Sequence, residues 1–594
     1  MCRIAGILQP GQEQLLTEQR VKEMCRLQKH GGPDDEGLYS ETDSGLVLGN
    51  RRLALIDLSA AGHMPMKYED RYVITYNGEL YNYLSLKEEL TGLGHRFNNH
   101  TDTEVILAAF AQWKSQSFVY LKGMFAFALW DTVDKELYLV RDPAGIKPLY
   151  YSSLSGTIVF ASEVRAFTAA GQVYTEDKSW PVMQMAYGHL PEPITTLNEV
   201  KPLPKGCFLH YCLHTQKCQL QSFNHYSYSR RISEPAASNH LKTVMQEAVS
   251  SHMMADAPVG VFLSGGLDSS IIAMLAAKKS LKALHTLSIY FKDGRFSEKK
   301  YQDIIIDQLQ CNHKQYLLQE DDFLAAFPAV LDAMDLPSCD GVNTWFISKY
   351  AAANGLKAVL SGIGGDELFG GYPSFKRMAT ANLLQQLPNF AISQGKHGAS
   401  KKLNRMSYLQ LAGIKGSYLF LRGHFTPHEI ARHLEMDEQE VWTILSDSPL
   451  LLDVGQLDPK NKASWMEFNL YMQNQLLRDA DVMSMQNGIE IRVPFLDEAV
   501  VKLAHRMQTT AKYPGPLPKQ LLINCFKNDL PVDIYNRPKM GFGFPFDDWL
   551  TKSELVKDLM AGGNGAVQKT YAAFMKGRIP WYQLMALILQ LRRR

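Results

Sequence analysis

The hydrophobic positions of the first part of the chain predict β-strands. Each run is short and is either apolar throughout or alternates with polar residues, which is typical of strands with one or two buried faces. The runs cover residues 4–8, 72–76, 124–130 and 137–141. Between them, a helix is predicted to begin at Thr101, because Glu104 three residues later would complete a capping box. We therefore expect sheets with helices on the outside.

A different pattern begins near residue 238. Apolar runs now alternate with amphipathic stretches of helical length, which indicates a parallel sheet with right-handed crossovers and helices on both faces. The runs cover residues 259–263, 284–291, 315–318 and 357–360. From about 376 to 530, helical patterns dominate without clear strands. The predicted fold is an α+β layered β-sandwich with helices, followed by an α/β domain wrapped by helices.

The change of pattern also suggests a domain division. A Pro- and Gln-rich stretch from about 170 to 235 weakens the periodicity but still holds a strand or two. We predict a first domain over residues 2–210, a linker over 211–237 and a second domain over 238–594.

Composition limits the partners. The chain has 594 residues, 46% of them hydrophobic and 21% charged, as in ordinary folded proteins. The 62 Lys and Arg residues nearly balance the 61 Asp and Glu residues, so no large field of one sign attracts nucleic acid or an anionic membrane. No apolar run reaches the ~18–20 residues of a membrane span, and no signal core follows Met1. We expect a cytoplasmic protein without nucleic-acid or membrane partners.

Some of the cysteines raise the question of zinc. Three of the eight lie close to two histidines in the set Cys207, His210, Cys212, His214 and Cys218. Their spacing matches none of the usual zinc patterns, so we favour a β-hairpin that carries cysteines.

Cys2 offers a possible nucleophile. If an aminopeptidase removes Met1, Cys2 gains a free α-amine with an ordinary pKa of ~8, which can take the proton of its own thiol. The thiolate then attacks an amide or ester carbonyl without a histidine partner. A small second residue is uninformative by itself, so the other motifs decide.

Five short motifs in order resemble the glutaminase domain of the N-terminal-nucleophile (class II) glutamine amidotransferases. They lie at residues 2–7, 30–34, 51–53, 77–79 and 101–102, within about the first 165 residues. The family turn usually reads His-Arg-Gly-Pro-Asp, whereas Gly31 stands here in the place of the Arg. Apart from that position, the resemblance implies cleavage of the side-chain amide of glutamine.

The resemblance also implies residue roles. Asn77 and Gly78 would form an oxyanion hole, Arg52 would hold the α-carboxylate of glutamine, and Glu79 with Asp102 would hold its α-ammonium. Each residue has a plainer interpretation taken alone: Asn-Gly is a common hairpin turn, Asp102 suits a helix N-terminus, and Arg52 suits a solvated strand face.

A second motif follows the predicted strand at 259–263. Ser264-Gly265-Gly266-Leu267-Asp268-Ser269-Ser270 leads into an apolar helix, and such a glycine-rich turn presents backbone N–H groups to a phosphate. It lacks the lysine of a Walker motif and resembles the PP-loop of the ATP pyrophosphatases, an adenine nucleotide hydrolase-like fold. The resemblance implies ATP as substrate and Mg²⁺ at Asp268.

Further motifs at 361–372, 492–497 and 537–543 complete a resemblance of nearly the whole chain to glutamine-hydrolysing asparagine synthetase. It implies that aspartate and ATP form β-aspartyl-AMP and that ammonia then displaces AMP. Asp366 would join Asp268 on Mg²⁺, Lys539 would be catalytic, and Glu367 is expected to be a solvated acid. The implied ATP-binding residues are Leu263, Ser264, Gly265, Gly266, Asp268, Ser269, Ser361 and Gly362. A homodimer fits the resemblance.

Three alternatives stay open. Asparagine synthetases commonly have Glu where Ile363 stands, so the same chemistry could act on another carboxylate, such as a sugar uronic acid in surface-polysaccharide synthesis. An inactive scaffold protein is a second alternative, but it should have lost Cys2 or Asp268. A tRNA-modifying PP-loop enzyme is the third, and the near-neutral charge counts against it.

Overall fold

The computed structural model describes residues 2–224, 226, 228, 232–279, 283–388, 392, 404–449, 454, 456–538, 540 and 543–593. Residues 2–224 are called the N-terminal half below, and residues 232–593 the C-terminal half. No helix among the described residues combines the length and the apolar character needed to cross a membrane.

The strands of the N-terminal half are mostly short and buried. They are β1 (Cys2–Leu8), β2 (Asp35–Glu41), β3 (Leu46–Arg52), β4 (Met66–Tyr68), β5 (Tyr72–Leu80), β6 (Gly123–Asp131), β7 (Glu136–Arg141), β8 (Tyr150–Leu154), β9 (Thr157–Ala161), β10 (Lys201–Pro202), β11 (Cys207–Cys212) and β12 (Lys217–Ser222). Its α-helices are α1 (Gln14–Leu27), α2 (Tyr83–Gly92), α3 (Asp102–Trp113) and α4 (Trp180–Tyr187). All four strands predicted in this half are confirmed.

These strands form two antiparallel six-stranded sheets. The first has the order β10-β8-β9-β1-β3-β2 and the second the order β12-β11-β7-β6-β5-β4. Ile4 and Leu48 of the first sheet share a buried cluster with Val73 and Trp130 of the second, so apolar faces meet between the sheets. Helices α1 and α3 contact the outer faces of the first and the second sheet. The predicted layered β-sandwich is confirmed.

The second sheet continues into the predicted linker. Strands β11 and β12 pair as an antiparallel hairpin, as favoured for the cysteine-rich segment. The predicted linker, residues 211–237, thus includes all of β12, which forms the edge strand of the second sheet. The domain division itself stays a prediction.

The C-terminal half is built on a parallel sheet. Its strands are β13 (Val259–Phe262), β14 (His285–Tyr290), β15 (Asn312–Leu317), β16 (Ala358–Leu360) and β17 (Glu490–Arg492), in the order β15-β14-β13-β16-β17. All described pairs of this sheet are parallel, which confirms the predicted α/β class. The sequence pattern missed β17, because a buried strand of three residues is too short to show a period.

Helices cover the sheet and fill the rest of this half. The first seven are α5 (Glu234–His252), α6 (Leu267–Lys279), α7 (Lys299–Leu309), α8 (Glu320–Ala333), α9 (Val342–Ala353), α10 (Gly365–Phe369) and α11 (Ser374–Leu384). Further α-helices span Gly413–Arg422, Pro427–Leu434, Glu438–Asp447, Pro459–Met466, Arg478–Met485, Glu498–Arg506, Thr509–Lys512, Gln520–Phe526, Val532–Tyr535, Phe546–Trp549, Glu554–Ala561, Gly565–Phe574 and Trp581–Arg592. Glu467–Leu477 forms a π-helix.

Candidate functional site

Cys2 begins β1 and contacts β3 of its own sheet and β5 of the second sheet. It is the register partner of Arg52 on β3, and its backbone N–H donates to Asn77 Oδ1 on β5 over 3.1 Å. Cys2 is 5% exposed, and this burial raises the pKa of its thiol. The structure therefore places the predicted nucleophile beside the predicted oxyanion residue.

Asn77 and Gly78 lie within β5, so the hairpin-turn interpretation is wrong. An ideal Cβ on Gly78 would approach Met124 O on β6 to 2.2 Å, and only glycine allows the strands to come this close. Asn77 is fully buried; its Oδ1 is used by Cys2, while its Nδ2 has no hydrogen-bond partner among the described residues. A buried amide donor next to the thiol is thus available to a ligand.

Arg52 is buried and does not lie on a solvated strand face. Its guanidinium donates to the backbone carbonyls of Ser59, Ile56 and Asp57 at 3.1, 3.3 and 2.5 Å. These bonds hold the segment after β3 against the strand end where Cys2 begins. The guanidinium is fixed by backbone oxygens on one side, which preorganises its remaining donors.

Glu79 and Asp102 lie in a buried group that has more acids than cations. Arg492 Nη2 is 3.4 Å from Glu79 Oε2, and its Nε is 2.5 Å from Glu490 Oε1. Burial raises the pKa of both Glu79 and Asp102, and Glu490 raises that of Glu79 further against the opposing effect of Arg492. Glu79 and Glu490 share one guanidinium and Asp102 lies near Glu79, so this group favours a further positive charge.

Asp102 is fixed by the start of α3. Its carboxylate accepts from Tyr76 Oη at 3.0 Å and from Leu80 N at 2.9 Å. Thr101 caps the helix by accepting from Glu104 N, as predicted. The second half of the capping box is wrong: the Glu104 carboxylate reaches past Thr101 to the backbone N–H groups of residues 98 and 99.

The second predicted site lies at the carboxyl ends of the parallel strands. The chain leaves β13 at Leu263, whose N–H donates to Leu287 O on β14, and turns through Gly265 at φ +83° into α6. Ser264 Oγ contacts Ser269 Oγ at 2.9 Å and accepts from Gly266 N at 3.2 Å. This glycine-rich turn opens a 13-residue helix, as phosphate-binding loops do.

Asp268 and Asp366 converge on one cation, Lys519. The Lys519 Nζ lies 2.5 Å from Asp268 Oδ2 and 2.5 Å from Asp366 Oδ1. Burial opposes its charge, but the two carboxylates raise the pKa of Lys519. This lysine carries no signal in the sequence, because its segment matches no motif and is remote from both acids along the chain.

Glycines give the two carboxylates their room. An ideal Cβ on Gly365 would lie 2.6 Å from the Asp268 carboxyl carbon, and one on Gly371 would lie 1.6 Å from Asp366 Oδ1. Gly362 is similarly close to Asp268 Cβ, at 2.9 Å. The glycine-rich motif at 361–372 therefore packs directly on the loop that starts α6.

Glu367 is a correction to the predicted solvated acid. It is 1% exposed, and its carboxylate accepts from Gly364 N at 3.0 Å and from Tyr372 Oη at 2.7 Å. Burial, with a contribution from Asp366, raises its pKa to about 7. Glu367 thus caps α10 by accepting the backbone N–H of Gly364, the residue that precedes the helix. Ile363 beside it is partly buried against the apolar core.

The motif at 537–543 is described in part. Arg537 donates to Gly265 O at 2.9 Å and to Glu298 Oε1 at 2.6 Å, and so holds the glycine-rich turn from outside. Lys539 lies outside the described residues, and its catalytic role stays a prediction.

One residue contacts both sites. The guanidinium of Arg492 faces Glu79, while its backbone carbonyl accepts from Ser361 N at 2.8 Å. An enclosed space nearby is lined by Tyr81 and Ala144 of the N-terminal half and by His252 and Leu496 of the C-terminal half. Leu496 also lies against Gly364, since a Cβ there would come within 2.6 Å of its Cδ2. The space thus has one wall, Leu496, that contacts the glycine-rich motif of the second site.

Comparisons with known proteins match the two halves of the chain to two families. Residues 1–224 match a family described as glutamine amidotransferase domain, and residues 240–573 match asparagine synthase. Glutamine-hydrolyzing asparagine synthetase 1 of Bacillus subtilis is 30% identical over 93% of this chain and 88% of its own length. A putative asparagine synthetase of Mycobacterium tuberculosis is 32% identical over 90% and 86%. Asparagine synthetase B of Escherichia coli is 28% identical over 65% and 67%.

Proposed function

Because this chain belongs to the asparagine synthase family of glutamine-hydrolysing ligases, we propose that it makes L-asparagine. The full reaction converts ATP, L-aspartate, L-glutamine and water to AMP, diphosphate, L-asparagine and L-glutamate. The observation that carries the glutamine step is the buried Asn77 amide, whose Oδ1 holds the Cys2 backbone and whose Nδ2 has no partner among the described residues.

In the first site, Cys2 Sγ attacks the side-chain carbonyl carbon of glutamine. Removal of Met1 frees the α-amine that takes the thiol proton and later gives it to the leaving ammonia. Asn77 Nδ2 and the Gly78 N–H stabilise the oxyanion, a contribution of about 3–4 kcal/mol per donor in comparable sites. Water then cleaves the thioester and releases glutamate.

Charge orients the glutamine. Its α-ammonium is attracted to Glu79 and Asp102, since the buried group there has three carboxyl groups and one guanidinium. Its α-carboxylate binds the donors of Arg52 that the loop carbonyls leave open. The α-carbon end of the substrate is thereby fixed while the side-chain amide faces Cys2.

In the second site, the turn at 264–269 receives the phosphates of ATP, and the aspartate side-chain carboxylate attacks the α-phosphate. Diphosphate leaves and β-aspartyl-AMP forms. The paired oxygens of Asp268 and Asp366 fit Mg²⁺, which usually takes one or two carboxylates together with substrate phosphates. The ion, when bound, neutralises phosphate charge. Lys519 would then be free to pair with a phosphate oxygen.

Ammonia has to reach the adenylate as the neutral molecule, because ammonium is not a nucleophile. The enclosed space lined by Tyr81, Ala144, His252 and Leu496 supports a protected route, since its walls come from both halves. At the second site, ammonia displaces AMP from β-aspartyl-AMP.

Cys2→Ala tests the division of labour between the halves. We expect glutamine-dependent formation of AMP and asparagine to fall by about 10³-fold or more, because the nucleophile is lost, and ammonium-dependent formation to persist. Products are measured by mass spectrometry. Cys25→Ala is the matched control: Cys25 is buried in the same half, and burial raises its pKa to about 12. Loss of both activities in Cys2→Ala, or active enzyme that retains Met1 by intact mass, contradicts the proposal.

The acceptor is tested in the same assay. Ile363 presents an apolar side chain near the second site, so glucuronate and galacturonate are compared with aspartate at equal concentrations. Aspartate-dependent AMP release supports asparagine synthesis. AMP release only with a uronic acid would assign the chain to amidation of a sugar acid.

A further inference from the structure

Arg3 directly follows the proposed nucleophile and contacts both halves of the molecule. Its side chain is fully buried. The Arg3 Nε donates to Glu163 Oε1 of the N-terminal half at 2.7 Å, and its Nη1 lies 2.9 Å from Asp481 Oδ2 of the C-terminal half. The backbone that carries Cys2 is therefore tied through one side chain to the helix Arg478–Met485.

The partners of Arg3 are held by further ion pairs. Glu163 Oε1 is 2.8 Å from His30 Nε2, and its Oε2 is 2.9 Å from Arg165 Nε. Burial works against the charge of Glu163, but His30, Arg3 and Arg165 lower its pKa, so the carboxylate is ionised. Lys147 Nζ lies 3.3 Å from Asp481 Oδ1. Removing one member leaves a charge buried without its partner, so the geometry of this group is strongly determined.

The connection continues beyond Glu163 and Asp481. Asp335 of the C-terminal half accepts from the backbone N–H groups of Val164 and Arg165 at 2.7 and 2.8 Å. The helix that carries Asp481 leads within five residues to β17, which pairs with β16 at the second site. A continuous set of contacts therefore links β1 with this part of the C-terminal half.

Gly31 shows how closely Arg3 fills its place. An ideal Cβ on Gly31 would lie 2.6 Å from Arg3 Cγ and 2.8 Å from its Nε. No larger side chain fits at position 31 while Arg3 is present. A larger side chain at position 31 therefore requires a smaller one at position 3.

We propose that Arg3 is a positioning residue that couples glutamine hydrolysis at Cys2 to acceptor activation in the other half. Through Asp481, the state of the C-terminal half sets the position of the strand end that carries the thiol. This proposal rests on the proposed function. It adds a residue that does not touch substrate and that acts by placing Cys2.

The test measures glutamate formed per AMP formed, with glutamine, ATP and L-aspartate, in wild type and Arg3→Ala. We expect a ratio near one in wild type and an increase of about fivefold or more in the variant, since hydrolysis no longer waits for the adenylate. Stimulation of glutamine hydrolysis by ATP plus aspartate should be lost. Ammonium-dependent AMP formation should stay within about twofold.

Arg51→Ala is the matched control, because Arg51 is the register partner of Arg3 on β3 but pairs with Glu36 within its own half. Its ratio should stay near that of wild type. In the double variant Arg3→Gly with Gly31→Arg, the new arginine starts beside the space that the Arg3 side chain leaves, and we expect the ratio to recover to within about twofold.

Wild type without glutamine-dependent AMP formation would refute the proposed function. Coupled wild type with an unchanged ratio in folded Arg3→Ala overturns the role of Arg3 alone. If Arg3→Ala does not fold, Asp481→Asn decides: a raised ratio supports the proposal and an unchanged ratio overturns it. A folded double variant that stays uncoupled also overturns it, since the guanidinium would be present without its effect.

Discussion

The two candidate sites differ in how the fold holds their charged groups. The first site takes Cys2, Arg52 and Asn77 from strands of the two antiparallel sheets, where backbone ladders fix each residue. The second site takes Asp268 and Asp366 from the first turns of the helices α6 and α10, which follow parallel strands, and Lys519 from a distant segment brings its ammonium between them. One site is built by strand register, and the other by helix N-termini that meet at the carboxyl ends of the parallel strands.

The difference has a consequence for substrate binding. In the first site, an excess of buried carboxyl groups waits for a cationic ligand. In the second site, Lys519 satisfies both acids, so phosphates and a metal ion have to redistribute existing ion pairs. We therefore expect the first site to bind its substrate with little rearrangement and the second to change on binding.

Asp268→Asn should separate the two sites most strongly. The amide keeps the shape of the side chain but removes a negative charge that would bind Mg²⁺, so diphosphate release should fall by about 10³-fold. Glutamine hydrolysis should continue at the rate that wild type shows without ATP and aspartate. A colorimetric diphosphate assay and a glutamate assay measure the two activities. Asp293→Asn, an acid paired with Arg295 in the same half, is the control. Wild-type diphosphate release in Asp268→Asn would remove this carboxylate from the reaction.

Glu79→Gln should act on the first site alone. Without the carboxylate, the α-ammonium of glutamine loses an ionic partner, and the KM for glutamine should rise about 10–100-fold. Steady-state glutamate formation gives the KM, and ammonium-dependent AMP formation serves as the internal control. If the KM stays at its wild-type value, the ammonium does not bind at Glu79.

Ala144→Phe should disturb the connection rather than either site. Ala144 is 2% exposed and lines the enclosed space between the halves, so a phenyl ring would fill it. We expect glutamine-dependent AMP formation to fall about tenfold, with glutamate formation and ammonium-dependent synthesis within about twofold. Equal loss of all three activities, together with a lower melting temperature, would indicate misfolding instead of a blocked route.

The smallest effect concerns the stability of the N-terminal half. Burial works against the charge of Asp131, but hydrogen bonds from Arg71 lower its pKa to about 2. Since this pKa lies below the ordinary value, the ion pair stabilises the fold above about pH 4, and its contribution is lost as the pH falls toward 2. Asp131→Asn should cost on the order of 1–2 kcal/mol near neutral pH.

Thermal unfolding from pH 7 down to pH 3 measures that contribution. The gap in melting temperature between wild type and Asp131→Asn should narrow as the pH falls below 4. Asp134→Asn is the control, because Asp134 pairs with the same Arg71 but is half exposed. A gap that is constant over this range would show that the charge of Asp131 contributes nothing.

Much of this arrangement could be predicted from the sequence. Eight strands and the two sheet types follow from periods of hydrophobic residues, and the motifs around Cys2, Asn77 and Asp268 mark residues that the structure brings together. Hydrophobic periodicity does not predict β17, because the strand is too short. The motifs do not predict the role of Lys519, because it contacts Asp268 and Asp366, which are far from it in the sequence. Glu367 was wrongly predicted as solvated, because a sequence shows the charge of a residue but not the helix end that it closes.

Arg492 has a consequence for attempts to divide the protein. Expression of residues 2–224 alone would leave Glu79, near Asp102, without the guanidinium that faces it. Such a fragment would need an added cation or protons to fold around that pocket, so its glutaminase would work best at lower pH or with glutamine present from the start. The boundary between the N-terminal half and the C-terminal half is thus a poor place to divide the chain.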